Sequence, residues 1–198
     1  MEYTISVFVP LLSVFLLTPL IISFSKKIDL VAYPSQNRWH SKKTPLLGGF
    51  SIFLGIIIGV FFSGIYVHID TKIIIAVFMI FFSGLYDDIY GIMPYTKLLF
   101  QIIASALVMS ADIIVGKGVL LPDFISIPLT ILWIIGITNA LNLLDNMDGL
   151  CTGTSAIISL FLGLLFYLEG QHYLCLLSII ISGATLGFLY YNFMPAKI

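Results

Sequence analysis

Two adjacent carboxylates, Asp87 and Asp88, stand at the end of an apolar run, residues 73–85, in a chain that is otherwise almost all hydrocarbon. A charge at or near lipid costs about 3 kcal/mol on insertion scales. Such a pair at a membrane boundary therefore needs a cation, a proton or a water-filled cavity beside it. Asp145 and Asp148 repeat the pattern at the end of another apolar run, next to Asn139, Asn142 and Asn146. Solvated charges marking helix ends would explain one such pair. Two pairs on one side, with amides one to two turns deeper in the apolar span, point to a functional site. Oxygen-only ligands without a His/Cys cluster favour Mg²⁺, with Mn²⁺ as the alternative, over zinc. Mg²⁺ is usually held by one or two carboxylates together with substrate phosphates, so the chemistry indicated is phosphoryl transfer.

The spacing of these residues sets what must hold them. Neighbours on a helix point about 100° apart, so Asp87 and Asp88 split their roles unless the helix ends there. One could meet a metal or take a proton while the other orients a ligand or a cationic side chain. Asn139, Asn142, Asp145 and Asp148 lie three apart and predict a slowly rotating polar stripe on one continuing helix. Gly149 suits the C′ position of that helix.

With 60% hydrophobic and 10% charged residues among 198, the composition is far from the roughly 25% charged of a soluble domain. The chain reads as an all-α polytopic membrane protein. Seven segments suffice as spans: 5–24, 48–67, 73–86, 97–114, 125–144, 152–168 and 173–191. The third is short and begins inside the 67–72 turn. The first lacks a basic n-region, has Glu2 instead and is followed by Lys26 and Lys27, so it is expected to stay as an anchor. Cys151 and Cys175 show no metal-ligand spacing and read as small apolar residues. Of the nine Lys and Arg, Lys26, Lys27, Arg38, Lys42, Lys43, Lys97 and Lys197 fall on one side, against Lys72 and Lys117 on the other. Positive-inside then puts the N-terminus outside and the C-terminus in the cytoplasm, with all four aspartates on the cytoplasmic face. No second domain or internal repeat is evident; residues 1–198 read as one domain.

Several motifs in order carry a family resemblance. Ser83–Gly84–Leu85–Tyr86–Asp87–Asp88, then Lys97 to Gln101, then residues 139–150, resemble the polyprenyl-phosphate N-acetylhexosamine-1-phosphate transferase family (glycosyl transferase family 4). Asp29, Pro34, Arg38, His40, Thr44–Pro45 and Gly48–Gly49 are similar to that family's first loop. Gly187–Phe188 and Tyr191–Asn192, with Pro195–Ala196–Lys197, look like the approach to its metal-binding loop. The resemblance implies transfer of a sugar-1-phosphate from a UDP-sugar to a membrane polyprenyl phosphate, with release of UMP and a requirement for Mg²⁺. It implies that Asp87 and Asp88 activate the lipid phosphate and support the metal, and that Asp145 and Asp148 form the rest of the acidic, metal-supporting site. Asn142 and Asn192 are then polar contacts to nucleotide, sugar or phosphate. Lys97 is a phosphate contact by the same resemblance, although a lysine snorkelling from a helix start reads equally well. Arg38 and His40 belong to a basic loop that topology alone would explain, with a substrate role slightly favoured.

Two departures stand out. Asn37 and Leu46 occupy positions where many members carry basic residues, and the loop from Arg38 to Gly49 sits nearer the branch that uses UDP-N-acetylglucosamine than the muramoyl-pentapeptide branch. Members also continue beyond Ile198 into a Met-Gly-Asp segment that supplies a principal metal ligand. By that resemblance the chain is expected to be the incomplete, C-terminally truncated part of a longer multi-span fold, and inactive alone.

Two other classes remain in view. An ion- or proton-coupled transporter would carry its carboxylates near the bilayer midplane. An intramembrane aspartyl protease would also use Tyr86–Asp87, but expects Gly-x-Gly-Asp where Asp148 follows Asp145–Asn146–Met147. The expected location is the cell membrane, with UDP-sugar and polyprenyl phosphate as partners, no nucleic acid, and a homo-oligomer left open. Reporter fusions at Tyr3 and Ile198 are expected on opposite faces of the membrane, outside and cytoplasmic; both on one side would break this topology.

Overall fold

The structure is a computed structural model and describes residues 2–32, 44–117 and 121–198. The chain is an all-α polytopic membrane protein, and each of the seven apolar segments forms a helix: α1 (Glu2–Lys27), α2 (Gly48–Ser63), α3 (Thr71–Tyr90), α4 (Pro94–Ser110), α5 (Asp123–Leu144), α6 (Leu150–Leu168) and α7 (His172–Asn192). Among the described residues, five of these, α1, α3, α5, α6 and α7, are long and apolar enough to cross a membrane. Between α1 and α2 the chain makes a minimal antiparallel ladder of β1 (Val31–Ala32) and β2 (Thr44–Pro45), with Val31 opposite Pro45.

Three boundaries differ from the sequence expectation. The third segment is a full span of 20 residues: Asp70 caps its start by accepting the Lys72 N–H at 2.7 Å, and the helix runs through both carboxylates to Tyr90. The second is split, since α2 stops at Ser63 and a 3₁₀ turn covers Ile65–His68. The fifth ends at Leu144, so Asp145 and Asp148 lie in a turn and the four-residue stripe is broken after Asn142. Asn and Asp side chains offer the backbone local hydrogen bonds that compete with a helix, which favours the turn. Gly149, with φ of 69°, precedes α6 as its N-cap residue instead of terminating α5.

The chain divides into two compact units, Met1–His68 with Leu144–Ile198, and Ile69–Leu143. In the first, α1 and α7 approach so closely that a Cβ on Gly183 would overlap the Val7 carbonyl oxygen, and one on Gly187 the Leu11 carbonyl oxygen. Gly55 and Gly59 of α2 let Val14 and Pro10 of α1 approach in the same way. The buried stripe of α1, Ser6, Pro10, Val14, Thr18, Ile21 and Ser25, keeps a helical spacing of three or four. Stripes of small residues are how helices associate in lipid, where hiding apolar surface from water contributes nothing. Tyr191 adds a hydrogen bond from its hydroxyl to the Phe15 carbonyl at 3.0 Å.

In the second unit α3 lies along α4, and Lys72 Nζ donates to the Ser110 carbonyl at 2.6 Å, tying the start of one to the end of the other. α3 buries Ala76 and Ser83, and α5 buries Ser126 and Thr130. Phe78, Phe82, Leu132 and Trp133 are exposed, as suits helices in contact with hydrocarbon.

A methyl group at Gly183 meets backbone, not a movable side chain, so Gly183→Ala forces α1 and α7 apart. Overpacking of this kind costs about 1–3 kcal/mol, more than the roughly 0.5–1 kcal/mol gained by replacing a mid-helix glycine. Unfolding in a denaturing-detergent titration should therefore come earlier for Gly183→Ala, while Gly136→Ala, with nothing within 4 Å of the added carbon, should be neutral or slightly stabilised.

Candidate functional site

The polar residues singled out by sequence gather in two clusters, one in each unit. In the second unit the last turn of α3 carries Asp87 and Asp88, and the helix closes at Gly91, whose N–H donates to the Asp87 carbonyl at 2.8 Å. Asp87 uses both carboxylate oxygens. Its Oδ1 accepts the Ile92 N–H at 3.0 Å, fixing the turn into α4, and its Oδ2 accepts from Lys97 Nζ at 2.7 Å. Pro94 opens α4 at its first position, where the missing N–H costs nothing, and so sets Lys97 one turn in. Lys97 also donates to Asn142 Oδ1 at 3.3 Å. Its side chain is 20% exposed, so it does not snorkel outward but bridges three helices. Asp88, a 100° helical step from Asp87, is exposed. The two neighbours thus differ in setting, Asp87 meeting Lys97 and the turn while Asp88 is exposed.

One turn deeper, Gln101 of α4 and Asn139 of α5 pair their carboxamides reciprocally. Gln101 Nε2 donates to Asn139 Oδ1 at 3.2 Å, and Asn139 Nδ2 donates to Gln101 Oε1 at 3.1 Å. Gln101 is 2% exposed. The sequence reading gave Gln101 no role of its own, although a glutamine four residues after Lys97 within an apolar helix was the available signal.

In the first unit the turn from Asp145 to Gly149 is clipped to the end of α7. Asn192 Oδ1 accepts the Gly149 N–H at 3.1 Å and the Thr152 hydroxyl at 2.9 Å, while its Nδ2 donates to the Ile198 carbonyl at 3.0 Å. Asp148 Oδ2 accepts the Ala196 N–H at 2.9 Å, and Asp145 is exposed. Asn192, expected as a substrate contact, thus directs both ends of its amide at this turn and the segment after α7. Thr152 is a partner that the sequence did not mark. Arg38 and His40 lie outside the described residues.

Each unit offers two of the four aspartates. Among the described residues no three His, Cys, Asp or Glu side chains converge as a metal-holding group. The donors present are carboxylate and amide oxygens, the set that suits a hard cation sharing its coordination with phosphate oxygens.

Long apolar helices, with a polar cluster in each unit, define a multi-pass membrane protein. The sequence profile of Glycosyl transferase family 4 matches residues 71–198, and the chain belongs to that family. It is 37% identical to a probable undecaprenyl-phosphate N-acetylglucosaminyl 1-phosphate transferase of Bacillus subtilis (strain 168), over 96% of this chain and 55% of the relative. It is 31% identical to a decaprenyl-phosphate N-acetylglucosaminephosphotransferase of Mycobacterium tuberculosis (strain ATCC 25618 / H37Rv), over 88% of this chain and 50% of the relative. A phospho-N-acetylmuramoyl-pentapeptide-transferase of Clostridium novyi (strain NT) is 30% identical, over 80% of this chain and 56% of the relative. The chain spans about half the length of the curated relatives it matches.

Replacing Asn192 by Leu leaves the Gly149 N–H and the Thr152 hydroxyl without their acceptor, at a cost of about 1–3 kcal/mol for an unsatisfied group. Hydrogen–deuterium exchange of Asn192→Leu should quicken in residues 149–152 while the amides in the middle of α6 keep their protection; unchanged exchange at Gly149 would contradict the clip.

Proposed function

We propose that the chain takes part in transfer of N-acetylglucosamine-1-phosphate, or a close relative, from a UDP-sugar to a polyprenyl phosphate in the cell membrane. An oxygen of the lipid phosphate attacks the sugar-bearing phosphorus of the UDP-sugar. That bond forms as the phosphoanhydride bond breaks, and UMP leaves with the electron pair. The observation that carries this reading is Lys97, a cation fixed between Asp87 and Asn142, in a chain whose relatives are named as undecaprenyl-phosphate and decaprenyl-phosphate N-acetylglucosamine-phosphate transferases.

The nucleophile is already an anion, so the residues have to align two anionic partners and offset their repulsion more than remove a proton. Lys97 supplies positive charge to a phosphate oxygen, and Asp87 holds that lysine in place. Asp88 serves the lipid phosphate, while Asp145 and Asp148 serve the diphosphate. Asn142 and Asn192 orient polar groups of the substrate, with Arg38 and His40 adding contacts from the basic loop. Asp87 and Asp88 in one unit, and Asp145 and Asp148 in the other, are the residues that would hold Mg²⁺ or Mn²⁺, which when bound would supply charge neutralisation to the diphosphate. We read the attack as direct, because the lipid phosphate is itself a competent nucleophile. The reaction is assigned to the cytoplasmic face, which the seven basic residues on one side support. The higher identity to an N-acetylglucosaminyl relative than to a muramoyl-pentapeptide one supports the choice of sugar.

The chain spans about half the length of the curated relatives it matches, so the assay uses an enzyme carrying this chain at their full length. UMP release is measured in membranes with UDP-N-acetylglucosamine and polyprenyl phosphate. Asp87→Asn, Asp88→Asn, Asp145→Asn and Asp148→Asn keep shape but lose charge, and each should lower turnover about tenfold or more with the protein still membrane-inserted. Near-parental rates in all four would return these carboxylates to the role of helix-end charges.

A further inference from the structure

We propose that Gln101 and Asn139 are positioning residues: their amide pair sets the rotation and depth of α5 against α4, and thereby holds Lys97 where a substrate phosphate meets it. The inference rests on the phosphate role given to Lys97 above.

Four observations lead there. First, α5 buries little of itself, Ser126 and Thr130, so close packing does not fix it against α4. Second, what joins the two helices is a ladder of long polar side chains. Lys97 and Gln101 are four apart on α4, and Asn139 and Asn142 are three apart on α5, so each pair lies on one helix face, one turn apart. The deeper rung is the reciprocal amide pair at 3.1 and 3.2 Å, and the outer rung is Lys97 with Asn142 at 3.3 Å. Third, the deeper rung is tied to α5 and enclosed on α4. Asn139 Nδ2 also donates to the Ile135 carbonyl at 3.0 Å, and Gln101 is buried. Fourth, an ammonium has three hydrogens in tetrahedral directions. Two of those on Lys97 are directed at Asp87 and Asn142, which sets the direction of the third.

A carboxamide pair has a fixed reach. An apolar pair of similar size would fill the same space yet allow α5 to rotate, and Asn142 would then leave Lys97. Buried polar pairs that fix register at some expense of stability are known from helical assemblies. Here the register matters because α5 carries one of the two acceptors that aim the lysine.

The test changes reach while keeping chemistry. Gln101→Asn is one methylene too short and Asn139→Gln one too long, while the double exchange restores the sum. In the membrane-inserted protein, peptide-resolved amine labelling of Lys97 is read against Lys72, whose own partner lies at the far end of α4. Each single variant should label Lys97 several-fold faster relative to Lys72, and the double variant should return to the parental ratio. In the UMP-release assay the singles should lose about tenfold in kcat/KM for polyprenyl phosphate, with rescue in the double and no further loss when combined with Lys97→Met. Unchanged labelling in both singles, or a double variant no better than the singles, overturns the proposal. A parent enzyme that releases no UMP defeats the functional reading instead, and the labelling ratio still decides whether the amide pair holds Lys97.

Discussion

In hydrocarbon, helices gain nothing by hiding apolar side chains from one another, because lipid is as apolar as leucine. What holds helices together there is close van der Waals packing, polar bonds between helices and lipid entropy. The first unit relies on approach. Gly183 and Gly187 on one helix, and Gly55 and Gly59 on another, leave room for α1 between them, so that the first span is held from two sides by the absence of side chains. The result is that α7 is the most enclosed of the candidate spans among the described residues. A rigid α7 matters because its last residue, Asn192, reaches back to the turn that carries Asp145 and Asp148.

The second unit relies on polar bonds. Its helices bury few residues, and among the groups that join them are Lys72, Asp87, Lys97, Gln101, Asn139 and Asn142. Transmembrane polar contacts average about 0.6 kcal/mol each, so no single one of them secures the unit. Their value lies in direction. Asp87 closes the turn between α3 and α4 with one oxygen and pairs with Lys97 through the other, so the residue that shapes the helix end also sets the cation beside it. One carboxylate thus serves both the end of α3 and the pairing with α4.

Much of this could be read from the sequence. Seven apolar runs announce seven helices because each span satisfies its own backbone, a local requirement that hydropathy reports directly. The aspartate pairs announce a site because charge in such a chain needs a reason, and the ordered motifs around Asp87, Lys97, Asn142 and Asp148 announce the family that the profile match then establishes. The membrane class and the all-helical architecture needed no tertiary information.

What only the tertiary structure decided depends on partners far apart in the chain. The end of α5 at Leu144 is one case: spacing alone allowed the helix to continue to Asp148, but the turn is held by Asn192, 43 residues beyond Gly149. Gly149 looked like the end of one helix and is the start of the next, since a positive φ serves either place and periodicity does not distinguish them. Gln101 and Asn139 stand 38 residues apart, so their pairing was invisible even though each was conspicuous alone. The glycines of α2 and α7 carry no side-chain signal at all. Local energetics are written residue by residue and can be read in order, whereas close approach and hydrogen-bond partnership belong to pairs, and pairs exist only once the chain has folded.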